Sequence, residues 1–336
     1  MEIIGLENTK KWDETVRATG NYDFYHLSAC HLLYDFGKPV LISHSKNGQS
    51  CALPLIIRKI EGSDYCDATS VYGYAGAIIS QEAVDNEFIT DFQQNLRQFF
   101  DENRIVTAFS RLHPLLPAGN ALLGGLGKIK KENLTVAIDL KQPESEQFAQ
   151  YTHSLKQALV LLEKENVSVR EAKNSADIEA FIEIYYENMK RVGAAPFYFF
   201  PKEYFLKFLA TIPSFLLVAE KDGKIIAGSL NSRCNGIIQT HLAATKTEFL
   251  DISPLKAVWS NVREYGARKG FRYVHFGGGL SGRNDTLFLF KAHFSDLRFQ
   301  FSTWRYIHNE KAFKELNLLK FGKIIPETGF FPPYRD

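Results

Sequence analysis

Two stretches of this chain, PVLISHSKNGQSCALPLI (39–56) and SFLLVAEKDGKIIAGSLN (214–231), follow one plan. Each sets two apolar runs around a lysine and a polar turn, Asn47-Gly48 in the first and Asp222-Gly223 in the second. Asn-Gly and Asp-Gly between apolar runs specify a tight hairpin, because both central residues of that turn need positive φ. The surroundings repeat as well. A helical stretch precedes each hairpin: roughly Lys11 to Tyr34, with a break at Gly20, and ADIEAFIEIYYENMKRV (176–192), where Ile178, Phe181, Ile182, Tyr185 and Met189 share a face. A helix and a strand follow each, FITDFQQNLRQFFDEN and RIVTAFS first, SPLKAVWSNVREYGARKG and RYVHFG second. In the later helix Ser253 reads as N-cap, Pro254 as the first helical residue and Gly270 as the stop.

An element order used twice in 336 residues describes two copies of one α+β unit better than a single large domain. Between the copies, KQPESEQFAQYTHSLKQALVLLEKENVSVREAKNS begins polar and becomes a helix carrying Lys156 and Lys164. The boundary is expected near Glu165, giving domains 1–165 and 166–336, with the last stretch of about thirty residues returning to the first domain. No Pro/Ser/Gly-rich linker separates the halves, so they are expected to pack tightly and leave a groove.

Composition excludes several classes. Apolar residues at 45% and charged residues at 23% describe a soluble globular protein. The net charge of +2 supplies no global field that advertises nucleic acid, while a local basic groove stays open as an alternative; DNA is not an expected partner. No leader-like start and no apolar window long enough to span a bilayer is read, so the expected location is cytoplasmic with at most peripheral membrane association. Cys30, Cys51, Cys66 and Cys234 lack CxxC spacing and read as reduced, mostly buried thiols. There is no GxxxxGK[ST], no HExxH and no zinc-ligand spacing. GGGLSGR fails the nucleophile elbow, because Gly282 directly follows Ser281. It is also expected to fail as a dinucleotide loop, since GRNDTLFLFKAHF reads as a returning strand and no helix opens after it.

The glycines Gly277, Gly278 and Gly279 end the strand that runs from Tyr273. Two readings stand open: a backbone that lets a substrate approach and donates amide hydrogen bonds, or a strand-end turn needing positive φ. Lys291, between Phe290 and Phe294, is either a snorkelling surface lysine or an ammonium at a groove wall that steadies a developing oxyanion. Tyr72 and Tyr74 in VYGYAGA fall on one face of a strand, where packing and ring stacking on a uracil or sugar are both possible. His241 and His275 lie in or beside strands with no carboxylate partner in sequence, the usual pattern of structural histidines. Asp285 either orients Arg283, or accepts an amine proton, or performs the ordinary turn chemistry of Asn-Asp in a loop. Arg58 and Lys59 end a hairpin strand and are expected in solvent.

The doubled unit, the loop after the late strand, the Phe-Lys-x-x-Phe of FKAHF, NMKRVGA (188–194) and HLAATKTEFLDISPLKAVW (241–259) together resemble the FemA/FemB/FemX proteins over essentially the whole chain. The resemblance implies two tandem GNAT (acyl-CoA N-acyltransferase-like) domains that form amide bonds on cell-wall precursors. It places Phe290 and Lys291 near the reacting carbonyl and Arg191 on the pyrophosphate of a nucleotide-linked acceptor. Ser295 stands where such proteins often have glycine, and the chain has no room for a long helical arm, so a compact member is implied. Substrate-binding candidates are therefore Arg191, Tyr72, Tyr74, His241, Gly277, Gly278, Arg283 and Asp285, with no metal and no tightly bound cofactor. A CoA-using GNAT domain carries R/Q-x-x-G-x-G/A before the helix after its central strand. TKTEFLDIS has no glycine there, which favours aminoacyl-tRNA over acyl-CoA as donor. The expected acceptor is an amine on a nucleotide-sugar or lipid-linked glycan. Two alternatives stand beside this: acyl-CoA-dependent N-acylation of an amino sugar, and a non-catalytic scaffold that binds a glycan precursor or a protein.

Overall fold

The structure is a computed structural model and describes residues 1–279, 285–323 and 329–336. Contacts divide it into two compact units, 1–132 with 300–336, and 133–299. The chain thus changes unit at Asn133 and not at Glu165, and the segment placed between the expected domains belongs to the second unit. Helices α4 (Glu144–Ala149) and α5 (His153–Lys164) lie there because Tyr151 and Leu155 join its apolar core.

The first unit begins with β1 (Glu2–Gly5), α1 (Thr9–Ala18) and the single turn α2 (Ser28–His31). Gly20, at φ +71°, ends the first helical stretch where the sequence marks it. The hairpin β2 (Lys38–Lys46) and β3 (Gln49–Lys59) turns on Asn47 and Gly48 at φ +50° and +77°, the conformation the dipeptide demands. Strands β4 (Cys66–Thr69) and β5 (Ile78–Ile79) follow, then α3 (Asn86–Glu102) and β6 (Ile105–Leu112). Phe88, Phe92, Leu96 and Phe100 of α3 share one buried stripe against the sheet. Strand β7 (Lys128–Asp139) carries the chain into the second unit.

There β8 (Ser168–Glu171), α6 (Ser175–Arg191) and α7 (Lys202–Thr211) precede the hairpin β9 (Ser214–Lys221) and β10 (Lys224–Cys234). Its turn residues Asp222 and Gly223 sit at φ +50° and +74°, matching the first hairpin. Then come β11 (Ile237–Thr245), α8 (Leu255–Arg268), β12 (Tyr273–Gly277) and α9 (Thr286–Ala292). Strand β13 (Arg298–Ile307) and helix α10 (Glu310–Phe321) finish the chain, mainly in the first unit.

The two units share one topology. In each, a hairpin is followed by a third antiparallel strand, a helix, and a strand parallel to that third strand: β4 with β6, and β11 with β12. Strand order is β1-β2-β3-β4-β6-β13 in the first unit and β7-β12-β11-β10-β9-β8 in the second.

Several local expectations need correction. Residues 285–294 form a helix, not a strand, because Asp285 Oδ1 accepts from the Phe288 amide at 2.8 Å and caps it. The ground given for setting aside a dinucleotide loop is therefore wrong, since a helix does open there. Ser253 is not the N-cap of α8; it sits at φ +52° and its hydroxyl donates to Leu250 O, leaving Pro254 at the cap. Tyr72 and Tyr74 lie in an irregular stretch ahead of β5, where Gly73 adopts φ +129°. Arg58 is not solvated: its Nε donates at 2.7 Å to fully buried Asp67, whose other oxygen takes Arg335 Nε at 2.7 Å.

Candidate functional site

Parallel strands β11 and β12 run together only through Ile237–Tyr273, Ile238–Val274 and Gln239–His275. At the last rung His275 Nδ1 meets Gln239 Oε1 at 2.5 Å. Beyond it β11 continues to Thr245 beside β10, while β12 ends at Gly277. Strands that part in this way release backbone donors and acceptors that a bound molecule can take up.

The glycines occupy that parting. Gly277 has φ +74°, so the conformational reading holds for it. Gly278 answers to crowding: a Cβ there would stand 2.7 Å from Asn133 Nδ2 and 3.0 Å from Leu134 O. Sequence reasoning missed Asn133, which is distant along the chain and has no local signature.

Lys291 reaches back to this loop. Its Nζ donates to Gly278 O at 2.6 Å, and the residue is only 8% exposed. A snorkelling lysine would send its ammonium into water; this one brings it inside. Burial pushes its pKa down to about 8, while the Asp285 carboxylate opposes the shift. The placement follows from the aromatic residues beside it. Phe290 and Phe294 pack on Trp259 with centroids 5.2 and 5.7 Å away, and Phe276 lies 4.9 Å from the same indole. Trp259 is itself fixed by donating to Ser229 Oγ at 3.2 Å. With α9 anchored on that cluster, Lys291 shares the buried side of the helix with Phe288, three residues before it.

The other sequence candidates are more scattered. Asp285 is the α9 cap, which is turn chemistry, and its charge is felt at Lys291. Arg283 lies outside the described residues. His241 stacks on Phe208 at 4.7 Å and meets Tyr204 Oη through Nε2 at 2.7 Å. Burial lowers its pKa to about 3, so the ring stays neutral between Phe208 and Tyr204. Arg191 is exposed in the last turn of α6 and donates to Asn188 Oδ1. Tyr72 and Tyr74 belong to the first unit, where Arg111 lies 5.0 Å over the Tyr72 ring and Tyr74 contacts Tyr25, His113 and Phe301. Among the described residues no group of three or more His, Cys, Asp or Glu could hold a metal ion.

The connection from β11 to α8 is closed upon itself. Lys246 N donates to Ile226 O, Phe249 N to Lys246 O, Leu250 N to Thr247 O and Ser253 N to Leu250 O. The Thr247 amide donates at 2.7 Å to the carboxylate of Glu187 on α6. Hydrogen bonds from Thr247, aided by Lys246 and Arg191, hold the Glu187 carboxyl below its ordinary range. No sequence pattern announced this link.

A doubled unit of this topology with parted parallel strands defines an acyltransferase-type fold, and residues 149–284 match the family model described as Acetyltransferase (GNAT) domain. The doubling itself has a solved counterpart in FemX, with a TM-score of 0.70, 13% identity, and 94% of this chain and 99% of that one covered. The chain thus has the FemAB-like tandem GNAT fold. It is also similar to L-PGS from Bacillus licheniformis (TM-score 0.58, 13% identity, 90% and 92% covered). A third match is the C-terminal domain of a protein described as a lysylphosphatidylglycerol synthetase from Agrobacterium fabrum (TM-score 0.57, 14% identity, 93% and 96% covered). At these identities the likeness is one of fold. No curated protein matches the chain.

Proposed function

We propose that this protein is an amide-forming aminoacyl- or acyltransferase acting on an amine of a nucleotide- or lipid-linked cell-envelope precursor. The observation that carries the reading is the buried Lys291 ammonium, held 2.6 Å from Gly278 O where two parallel strands part. In amide formation the amine nitrogen attacks the ester carbonyl, and negative charge gathers on its oxygen. The new C–N bond forms, the ester C–O bond breaks, the leaving alcohol takes up a proton, and the nitrogen gives one up. An ammonium has three donors, and Gly278 O occupies one. The others can meet the oxyanion without reorganisation, in surroundings dried by Phe290 and Phe294. No covalent enzyme intermediate is required; positioning of the two substrates supplies the remainder.

The closed β11–α8 connection supports an aminoacyl ester as donor over acyl-CoA. A CoA pyrophosphate needs free amides, and here the amides of Lys246, Phe249, Leu250 and Ser253 already donate to backbone carbonyls while Glu187 sets a carboxylate on that of Thr247. Glu248 is paired with Lys246 at 3.1 Å, and Asp251 adds negative charge to the same segment. The names of FemX and of the lysylphosphatidylglycerol synthetase support an envelope acceptor. Thermal-shift titration with charged tRNA, CoA thioesters and UDP-sugar precursors tests the reading. Stabilisation by charged tRNA and a precursor is expected. Stabilisation by CoA thioesters alone would move the protein to acyl-CoA chemistry, and by none of the three to a binding scaffold.

A further inference from the structure

Helix α6 ends in a tip that is built, exposed and apolar. Lys190 to Gly193 and Ala195 to Phe197 are exposed, with Val192 at 55% and Phe197 at 52%. The tip is not a loose loop. Gly193, at φ +61°, and Ala194 donate their amides to Lys190 O and Met189 O and close the helix end. Tyr185 and Tyr186 on α6 donate their hydroxyls to Tyr198 O and Phe200 O, each at 2.7 Å, and pin the returning chain. Phe200 stacks on Tyr204 at 4.3 Å beneath it. A well-braced segment therefore holds valine, alanine, proline and phenylalanine side chains out of the core. Single exposed apolar residues are ordinary; a braced run of them beside cations is not.

The positive charge is local to the helix end. Across residues 179–207 the cations Lys190, Arg191, Lys202 and Lys207 are balanced by Glu179, Glu183, Glu187 and Glu203, and the tip itself, from Lys190 to Phe197, carries Lys190 and Arg191 with no carboxylate. Lys202 is matched by Glu179 at 2.5 Å; Lys190 and Arg191 immediately precede Val192. Aliphatic and aromatic side chains next to lysine and arginine suit the headgroup zone of an anionic bilayer, where the apolar groups enter the acyl boundary and the cations meet lipid phosphates. A nucleic acid would use the phenylalanine for stacking but gains nothing from Val192, Ala195 or Pro196. Among the described residues no helix is long and apolar enough to cross a membrane.

We propose that the tip from Lys190 to Phe197 docks the second unit on an anionic phospholipid surface. The inference deepens the reading above, on which it rests for its benefit: docking favours a lipid-linked acceptor over a free nucleotide-linked one. The test needs no turnover, so its outcome is separate from that of the transfer reaction. Full-length protein is sedimented with phosphatidylcholine vesicles with and without phosphatidylglycerol, at low and high salt. Binding is expected only with phosphatidylglycerol, and weaker at high salt. Val192→Ser with Phe197→Ser should lower the partition about tenfold or more with the fold intact by circular dichroism. Lys190→Gln should lower it about fivefold, the scale for one cation near such a surface. Absence of wild-type binding, equal binding to both vesicle types, or an unaffected double variant would each overturn the proposal. So would tRNA binding that the double variant loses while vesicles are ignored, which would assign the tip to RNA.

Discussion

Lys291→Met separates a working ammonium from a packed one. Methionine keeps most of the apolar stem that α9 buries and deletes only the charge and its bond to Gly278 O. The stability terms oppose each other. Leaving a buried carbonyl unpaired costs about 1–3 kcal/mol. Against that, lowering the pKa from 10.5 to about 8 means that burial of the ammonium works against the fold by roughly 3 kcal/mol at neutral pH. The folded pKa is the depressed one, so this penalty is complete below about pH 8 and fades as pH rises toward 10.5. Removing the group removes the penalty. The two effects nearly cancel, and Tm should move by only a few degrees. Catalysis has no such compensation. Loss of one oxyanion donor costs about 10²–10³-fold in kcat, so the variant should be folded and slow. The wild-type pH profile adds an independent reading. With a pKa of about 8, a cationic role makes the rate fall as pH rises through 8, well before an ordinary lysine would titrate. Steady-state kinetics on charged donor and precursor, with circular dichroism of both proteins, provide the assay. Wild-type turnover by folded Lys291→Met refutes the role. A wild-type rate that climbs through pH 8 to a plateau refutes the cationic form of it and makes the neutral amine the working species.

Arg191→Ala should raise the acceptor KM with a smaller effect on kcat, because a guanidinium grip on phosphate is mostly uniform binding, and Arg191→Lys should restore it only in part. An unchanged acceptor KM returns Arg191 to an ordinary surface role. Acid should destabilise the fold early: burial lowers the pKa of His26 to about 3 and of His31 to about 4, against an unfolded value of 6.5. Their contribution is present above about pH 6.5 and is lost as pH falls toward those values, so urea midpoints should drop between pH 6.5 and 4 and drop less in His31→Gln. Midpoints that stay level across that range would count against neutral burial of these rings.

What the sequence made legible was local. Asn47-Gly48 and Asp222-Gly223 announce their hairpins because the turn needs a backbone conformation those residues adopt easily. The stripe on α3 and the break at Gly20 are equally short-range. Helix α9 was misread because Leu-Phe-Leu-Phe alternates no polar face, and a short apolar run fits strand or helix alike. Asp285 three residues before a buried phenylalanine was the available cap signal. The Lys291–Gly278 contact was foreseeable only as a loose association between neighbouring motifs. Asn133 beneath Gly278 and Glu187 on Thr247 were not foreseeable at all, since they join residues far apart in sequence without a pattern. The same holds for Asp67, clamped by Arg58 and, from the far end of the chain, by Arg335.

That last clamp has a bearing on how the molecule is made. The first unit pairs β6 with β13 and buries the Tyr334 hydroxyl against Thr107 Oγ1 at 2.7 Å, so its construction draws on residues before 133 and after 299. A ribosome delivers the chain in one direction. Residues 133–299 are all available while most of β13 is still untranslated, and the unit that starts first is therefore the one that finishes last. Until then β6 waits with an open edge, a row of unpaired amides and carbonyls that invites pairing with other nascent chains.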